Sequence, residues 1–395
     1  MTYGDTSAQF SSLRQFGYVI IFVMALSGMK PIQNWRKIWR MPLLLSIALA
    51  WCWLSVIWSI APAVTLRRAL LTTLVIWSAF LCVDQMGYRR SLQAIRVVLC
   101  LTLVANYLAV FLTPGFGIHT VEDMADPGLI GDWRGIMMQK NAAGPMCVFL
   151  IFTFLFDAKS IHWILRVGAI CLSAFFLVKT GSKTSMQVLL VSLVAGVLYV
   201  RFNPSYRALL IPLLMVSGVA FTLFSELYWE EITRPFDSRN GFTGRVLIWR
   251  PLTEYAQDHL LLGCGFGAFW GLGSQISPIF HYATGWVTKI AHGHDGYLDL
   301  LITIGAPGLI LVVTSSLIVP VARLLIAKSI PRPAGALMIA IIIFCAGHNL
   351  TESNLFDRDQ PVQLYLMISM AMVYLITKNS KSRYSEAAGS HKRAT

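Results

Sequence analysis

Along its length the chain sets continuous apolar runs against short polar breaks. The runs lie near residues 16–30, 42–60, 69–84, 92–113, 142–157, 162–179, 184–200, 207–224, 297–322, 334–350 and 361–377. Unbroken runs of this kind predict membrane-spanning helices, in which each backbone polar group is satisfied within its own segment. A transmembrane β-barrel would instead show alternation over stretches of about 10 residues. The pattern therefore predicts an all-α polytopic membrane protein with about eleven spans. Several runs fall short of the roughly 20 residues that a bilayer requires, so flanking residues must complete them. One break stands apart. The stretch 225–296 is too long for a simple connection and divides the chain into N-terminal helices (1–224), a large external loop (225–296), C-terminal helices (297–377) and a basic tail (378–395). Loops of that length are usually functional or disordered.

Composition agrees with this picture. The chain is 56% hydrophobic and 13% charged, where a soluble globular protein carries about 25% charged residues. Its net charge of +13 does not indicate nucleic acid, because the cations sit in short loops between apolar runs. On one side of the predicted membrane, loops and tail hold 17 Lys and Arg against three acids, Asp84, Asp157 and Glu386. That bias assigns this side to the cytoplasm and places the N-terminus and the long loop outside. No predicted span carries a charged residue near its centre, which argues against an ion-coupled transporter; Asn106 is the one polar candidate at depth. Six of seven cysteines lie inside apolar runs, and Cys264 stands alone, so no disulfide framework or zinc spacing emerges. The first apolar run leads into a basic loop and lacks a cleavage-site pattern.

The external loop is rich in aromatic residues, among them Trp229, Phe242, Trp249, Tyr255, Phe269, Trp270 and Trp286. Such residues suit an interfacial layer or stacking on sugar faces. Gly244-Arg245-Val246-Leu247-Ile248-Trp249-Arg250-Pro251-Leu252 starts a short amphipathic helix. Arg245, Trp249, Leu252 and Ala256 share one face, while Arg250 and Glu254 pair on another. Arg245 thus lies on the face destined for burial and needs an anionic partner. An internal salt bridge and an anionic ligand both answer that need. Gly263-Cys264-Gly265-Phe266-Gly267 permits a tight backbone path that suits a packing turn, or a cradle of amides for an anion. Near the return to the membrane, His292-Gly293-His294-Asp295-Gly296-Tyr297-Leu298-Asp299 gathers two histidines and two acids. Histidine is the side chain matched to proton transfer near neutral pH. The spacing is far weaker than a zincin motif, and a structural interfacial histidine is the competing reading. Two further external patches are Trp133-Arg134-Gly135…Lys140-Asn141 and Lys179-Thr180-Gly181-Ser182-Lys183-Thr184. Contact with lipid headgroups explains their cations equally well, and it is the preferred reading of Arg67-Arg68.

Taken in order, the Trp133–Asn141 string, the Gly181-Ser182-Lys183-Thr184 turn, Gly244-Arg245 with Trp249, the triple-glycine turn and His294-Asp295-Gly296-Tyr297-Leu298 resemble the O-antigen ligase and polymerase superfamily. Gly305-Ala306-Pro307-Gly308-Leu309 extends the likeness, which runs from about Trp51 to Leu309 and looks most similar to ExoQ-type exopolysaccharide production proteins. The resemblance implies a GT-C-type membrane glycosyltransferase working at the periplasmic face of the bacterial inner membrane. Its donor and acceptor would be undecaprenyl-pyrophosphate-linked oligosaccharides, with no cofactor and no catalytic metal. By motif position it maps the general base onto His294 and pyrophosphate binding onto Arg245 and Lys183. Asp295, His292, Arg134 and Lys140 would be supporting residues. Two departures mark this chain. Asp295 replaces the family's asparagine after the histidine, and Lys183 replaces an arginine, giving up its bidentate fork. The expected function is polymerisation of lipid-linked repeats into exopolysaccharide, with possible help from export or chain-length proteins. The alternatives are a ligase that transfers finished polymer to lipid A core, and a flippase for the same lipid-linked sugar.

Overall fold

The computed structural model describes residues 3–29, 41–121, 127–206, 245–327 and 330–391. Among them there is no strand, only an isolated bridge between Ile118 and Trp133. The principal helices are α1 (Tyr3–Gly28), α2 (Leu43–Leu54), α3 (Pro62–Leu112), α4 (Lys140–Leu155), α5 (Trp163–Lys179), α6 (Lys183–Arg201), α7 (Arg245–Asp258), α8 (Gly296–Val313), α9 (Val319–Ile326), α10 (Arg332–His348) and α11 (Pro361–His391). By length and composition, four helical stretches among the described residues can cross a membrane, and four shorter apolar helices accompany them. Apolar side chains cover the outside as well as the core: Leu172, Val178, Leu190 and Leu198 are all exposed. A surface of that kind is stable only in lipid, and the chain is a polytopic all-α membrane protein. The predicted span at 207–224 and the loop residues 225–244, with Trp229, Phe242 and Gly244, lie outside the described residues.

Two glycines account for the course of the longest helices. At about 1.5 Å per residue, the 51 residues of α3 would extend more than twice the roughly 30 Å hydrocarbon thickness. Gly87, at φ 73° and ψ 166°, breaks it, a conformation that glycine adopts at little cost. Around this break Gln85 donates to the Ala25 carbonyl at 2.7 Å, Tyr88 to Asp157 at 2.8 Å, and Arg96 to the Thr153 and Asp157 carbonyls. The far ends both meet segments that connect helices. Arg68 donates to the carbonyls of Gly267 and Trp270, and the Asn106 side chain accepts from the Ile136 amide. The helix is therefore a hairpin of two passes, matching the predicted spans 69–84 and 92–113. Arg68 braces the Gly267–Trp270 segment rather than meeting lipid headgroups, and Asn106 holds a turn.

In α8 the break falls at Gly305, with φ 68° and ψ 177°. Pro307 has no N–H for the Thr303 carbonyl, and an unsatisfied group at membrane depth is costly. The triple-glycine turn supplies the missing donors: Cys264 N–H donates to the Ile302 carbonyl at 3.0 Å and Gly265 N–H to Thr303 at 2.8 Å. In return Ala306 N–H donates to Leu260, and the Trp51 indole donates to the Ile304 carbonyl at 2.9 Å. Gly263 and Gly265 both have positive φ, with backbone or Ser59 where a Cβ would stand. The turn is a packing device that plugs a broken span. Two predicted ends move. The second span stops at Leu54, where the Ser55 hydroxyl binds the Cys52 carbonyl and receives the Phe266 amide. The last helix continues past 377 to His391, since no proline interrupts it.

Candidate active site

α7 forms where the sequence predicts an amphipathic helix, and it buries Ile248, Leu252, Tyr255 and Ala256. On the same face Arg245 reaches Glu352, with Nη2 at 2.6 Å from Oε1. One turn on, the Trp249 indole donates to the Gly293 carbonyl at 3.0 Å. Arg250 and Glu254 are both exposed, and no ion pair joins them. The difference follows from the weak attraction between exposed charges, which does not hold two long side chains in place.

The histidine turn is pinned on each side of its central residue. Gly293 N–H donates to the Asp299 carboxylate at 3.0 Å, and Trp270 donates to the same group at 2.8 Å. Asp295 is the N-cap of α8; its Oδ1 accepts from the amides of Tyr297 at 2.9 Å and Leu298 at 3.0 Å. That is a role asparagine fills equally well, which explains how aspartate can stand at this position. Burial pushes the Asp295 carboxyl up to about 6, against the lowering effect of its two amide bonds. Between these anchors His294 adopts φ 53°. A bulky residue in the left-handed region stores strain, and such residues persist where neighbours over-determine them.

The His294 ring stands 4.1 Å from that of His292, centroid to centroid. Its Nδ1 lies 3.4 Å from Glu352 Oε2. Both side chains are half-buried. Burial, then His294 and Arg245, push the His292 pKa down to about 4 although Glu352 acts the other way, so His292 is neutral at physiological pH.

Glu352, in the connection between α10 and α11, is where the motifs meet. It is only 7% exposed. It accepts from Arg245 and from Asn141 Nδ2, each at 2.6 Å, and has His294 beside it at ion-pair distance. Asn141 Oδ1 in turn accepts from the Ser182 hydroxyl at 3.2 Å, and Thr184 touches Thr351 at 2.9 Å. Four segments far apart in sequence thus converge: Asn141 at the start of α4, the Gly181–Thr184 turn, Arg245 on α7 and the His292–Asp295 turn. Burial alone would raise the Glu352 pKa, yet His294 and Arg245 outweigh it and hold the carboxyl below its ordinary value. The site is built around an ionised carboxylate.

The remaining candidate cations are placed differently. Lys183 is exposed at the first position of α6. The dipole disfavours a lone cation there, and the same amides favour an anion. Ser182 does not cap the helix, because its hydroxyl serves Asn141 and Ser185. Lys140 is engaged by Asp132 at 2.6 Å. Arg134 donates to the Phe116 carbonyl at 2.8 Å, a contact that steadies its own turn and does not reach Glu352. Among the described residues, no group of three His, Cys, Asp or Glu side chains is arranged to hold a metal ion.

Sequence reasoning did not single out Glu352. The available signal was indirect: a buried-face Arg245 demanded an acid, and Thr351-Glu352-Ser353-Asn354 offers one at the mouth of a span. The structure answers the open question about Arg245 with an internal ion pair. Its Nε and Nη1 hydrogens have no partner among the described residues, so the guanidinium keeps free donors.

A family model described as O-antigen ligase matches residues 168–313. The match takes in Lys183, Arg245, His292, His294 and Asp295 and ends before Glu352. It bears out the resemblance to the O-antigen ligase and polymerase superfamily, and with it a polysaccharide ligase or polymerase activity in general. No curated protein matches the chain.

Proposed function

We propose that the protein is a glycosyltransferase of the ExoQ type. It polymerises undecaprenyl-pyrophosphate-linked oligosaccharide repeats into exopolysaccharide at the periplasmic face of the inner membrane. The observation that carries this reading is the convergence of His294, Arg245 and the Lys183-bearing turn about one buried carboxylate. His294 Nε2 takes the proton of the acceptor hydroxyl while that oxygen attacks the anomeric carbon. The bond from that carbon to the pyrophosphate breaks, and the pyrophosphate leaves with the electron pair. Arg245, through its free donors, and Lys183, at a helix N-terminus, stabilise the charge that grows there. A positioned general base contributes about 10²–10⁴-fold. The activated phosphoester supplies the driving force in place of a nucleotide, and Arg245 and Lys183 give the charge stabilisation that a metal provides elsewhere. His292, neutral and half-buried, and Asp295, the helix cap, support the turn.

The description of the family model supports a second reading, a ligase that transfers finished polymer to lipid A core. Products separate the two: a polymerase leaves a ladder still linked to undecaprenyl pyrophosphate, and a ligase gives a single transfer that depends on lipid A core. In cells, His294→Ala should retain near-normal protein abundance and lose long polymer, with His292→Ala milder. Long polymer from His294→Ala would remove it from the role of base.

A further inference from the structure

We propose that Glu352 is a positioning residue for this reaction: its carboxylate fixes the Nδ1–H tautomer of His294, turns Nε2 toward the acceptor, and ties the strength of the base to occupancy of Arg245. The inference rests on the proposed glycosyl transfer and assigns a residue that lies outside the matched family segment. An ionised carboxylate is negative and can only accept hydrogen bonds, so its charge 3.4 Å from Nδ1 favours the tautomer with the proton there. The Nδ1 atom is fully buried and makes no hydrogen bond of good geometry, so Glu352 acts on it at 3.4 Å as a neighbouring charge, while the side chain as a whole keeps 23% exposure. Nε2 makes no hydrogen bond among the described residues, which leaves it for the substrate hydroxyl.

When Nε2 takes the proton, the imidazolium forms beside the negative charge of Glu352 and is stabilised by it. The arrangement parallels a carboxylate behind a catalytic histidine. Here the carboxylate has a second obligation. Its Oε1 is held at 2.6 Å by Arg245 and at 2.6 Å by Asn141, and Arg245 is the residue assigned to pyrophosphate. A donor phosphate on Arg245 draws the guanidinium's charge away from Glu352, and the carboxylate's full charge then acts on His294. Donor binding in this way strengthens the base that awaits the acceptor. The charged and titratable groups around the pair are Arg245 on α7, His292, Asp295 and Asp299 from the histidine turn and α8, and His348 at the end of α10.

The test is the pH dependence of transfer by the purified full chain in lipid, together with peptide-level diethylpyrocarbonate labelling of His294 against pH. Glu352→Gln should lower kcat by about tenfold or more and change the donor KM much less. It should move the acid limb of the profile down by roughly one pH unit, and Glu352→Asp should restore much of the limb's position. An unchanged limb, or a loss confined to KM, would overturn the proposal. If Glu352→Gln fails to accumulate, the pair Arg245→Gln and Arg245→Gln/Glu352→Gln carries the labelling test. The first should raise the protonation midpoint of His294 and the double variant should return it below that value; equal midpoints would refute the coupling. Labelling needs no turnover. A wild-type chain that transfers nothing counts against the enzymatic reading, while the midpoints still decide the role of Glu352.

Discussion

Removing Arg245 should unfold the protein more readily than a surface substitution, and the reason is Glu352. The two charges lie 2.6 Å apart with side-chain exposures of 14% and 9%. At an effective dielectric of about 20 their gross attraction is roughly 6 kcal/mol, most of which offsets the cost of taking both from water. Removing one partner leaves the other buried without compensation, a loss of about 3–5 kcal/mol, whereas removing both costs far less. Arg245→Gln and Glu352→Gln should therefore each lower the thermal unfolding midpoint of the purified protein strongly. The double variant should recover most of the loss, with a coupling of about 2 kcal/mol or more. Arg245→Lys keeps the charge, so it should melt near the wild type while transfer falls, because a lysine lacks the planar fork that grips phosphate oxygens. Arg250→Lys, on the exposed face, should change neither. Losses that simply add in the double variant would refute a direct buried pair and the site geometry built on it.

Asp295 gives a pH signature. Its folded pKa of about 6 stands above the ordinary carboxyl value of 3.8, so the folded state binds the extra proton between those values. Its favourable contribution is present below about pH 4 and is lost as pH rises through 6. Asp295→Asn keeps the cap without the buried charge, so it should outlast the wild type at pH 7–8 by up to about 3 kcal/mol and match it at pH 4; a gap independent of pH would contradict this. Gly263→Ala places a Cβ 2.6 Å from the Thr303 carbonyl carbon at φ +65°. It should cost about 1–3 kcal/mol and lower abundance, and a normal unfolding midpoint would show that the plug of α8 tolerates a side chain. A periplasm-dependent reporter should be active after Gly273 and silent after Lys381, as the charge bias requires; the reverse pattern would invert the orientation.

Much of the architecture was readable because a membrane helix carries its own signal: a continuous apolar run needs no knowledge of its neighbours. The arms of α3 were separable since Arg89-Arg90 follow Gly87 closely, and α7 was visible from the spacing of Arg245, Trp249 and Leu252. Features that depend on a distant partner were not legible. The plug of Gly263–Gly267 in α8 answers a defect created at Gly305 and Pro307, about forty residues on. Glu352 lies 107 residues from Arg245, in a connection without a motif, and nothing local distinguishes it from Asp357 or Asp359. Arg68 was assigned to headgroups on composition, whereas its carbonyl partners Gly267 and Trp270 exist only after the loop has folded back.

The central claim is transfer from a lipid-linked donor at a site made of this chain's own residues. The most direct measurement places the purified protein in liposomes with undecaprenyl-pyrophosphate-linked oligosaccharide, chelator and no nucleotide, and resolves the products by length. The account predicts a ladder of longer oligosaccharides that remain linked to undecaprenyl pyrophosphate and vanish with His294→Ala. No product from the wild-type chain, or a product that forms only when a divalent metal is restored, would contradict it.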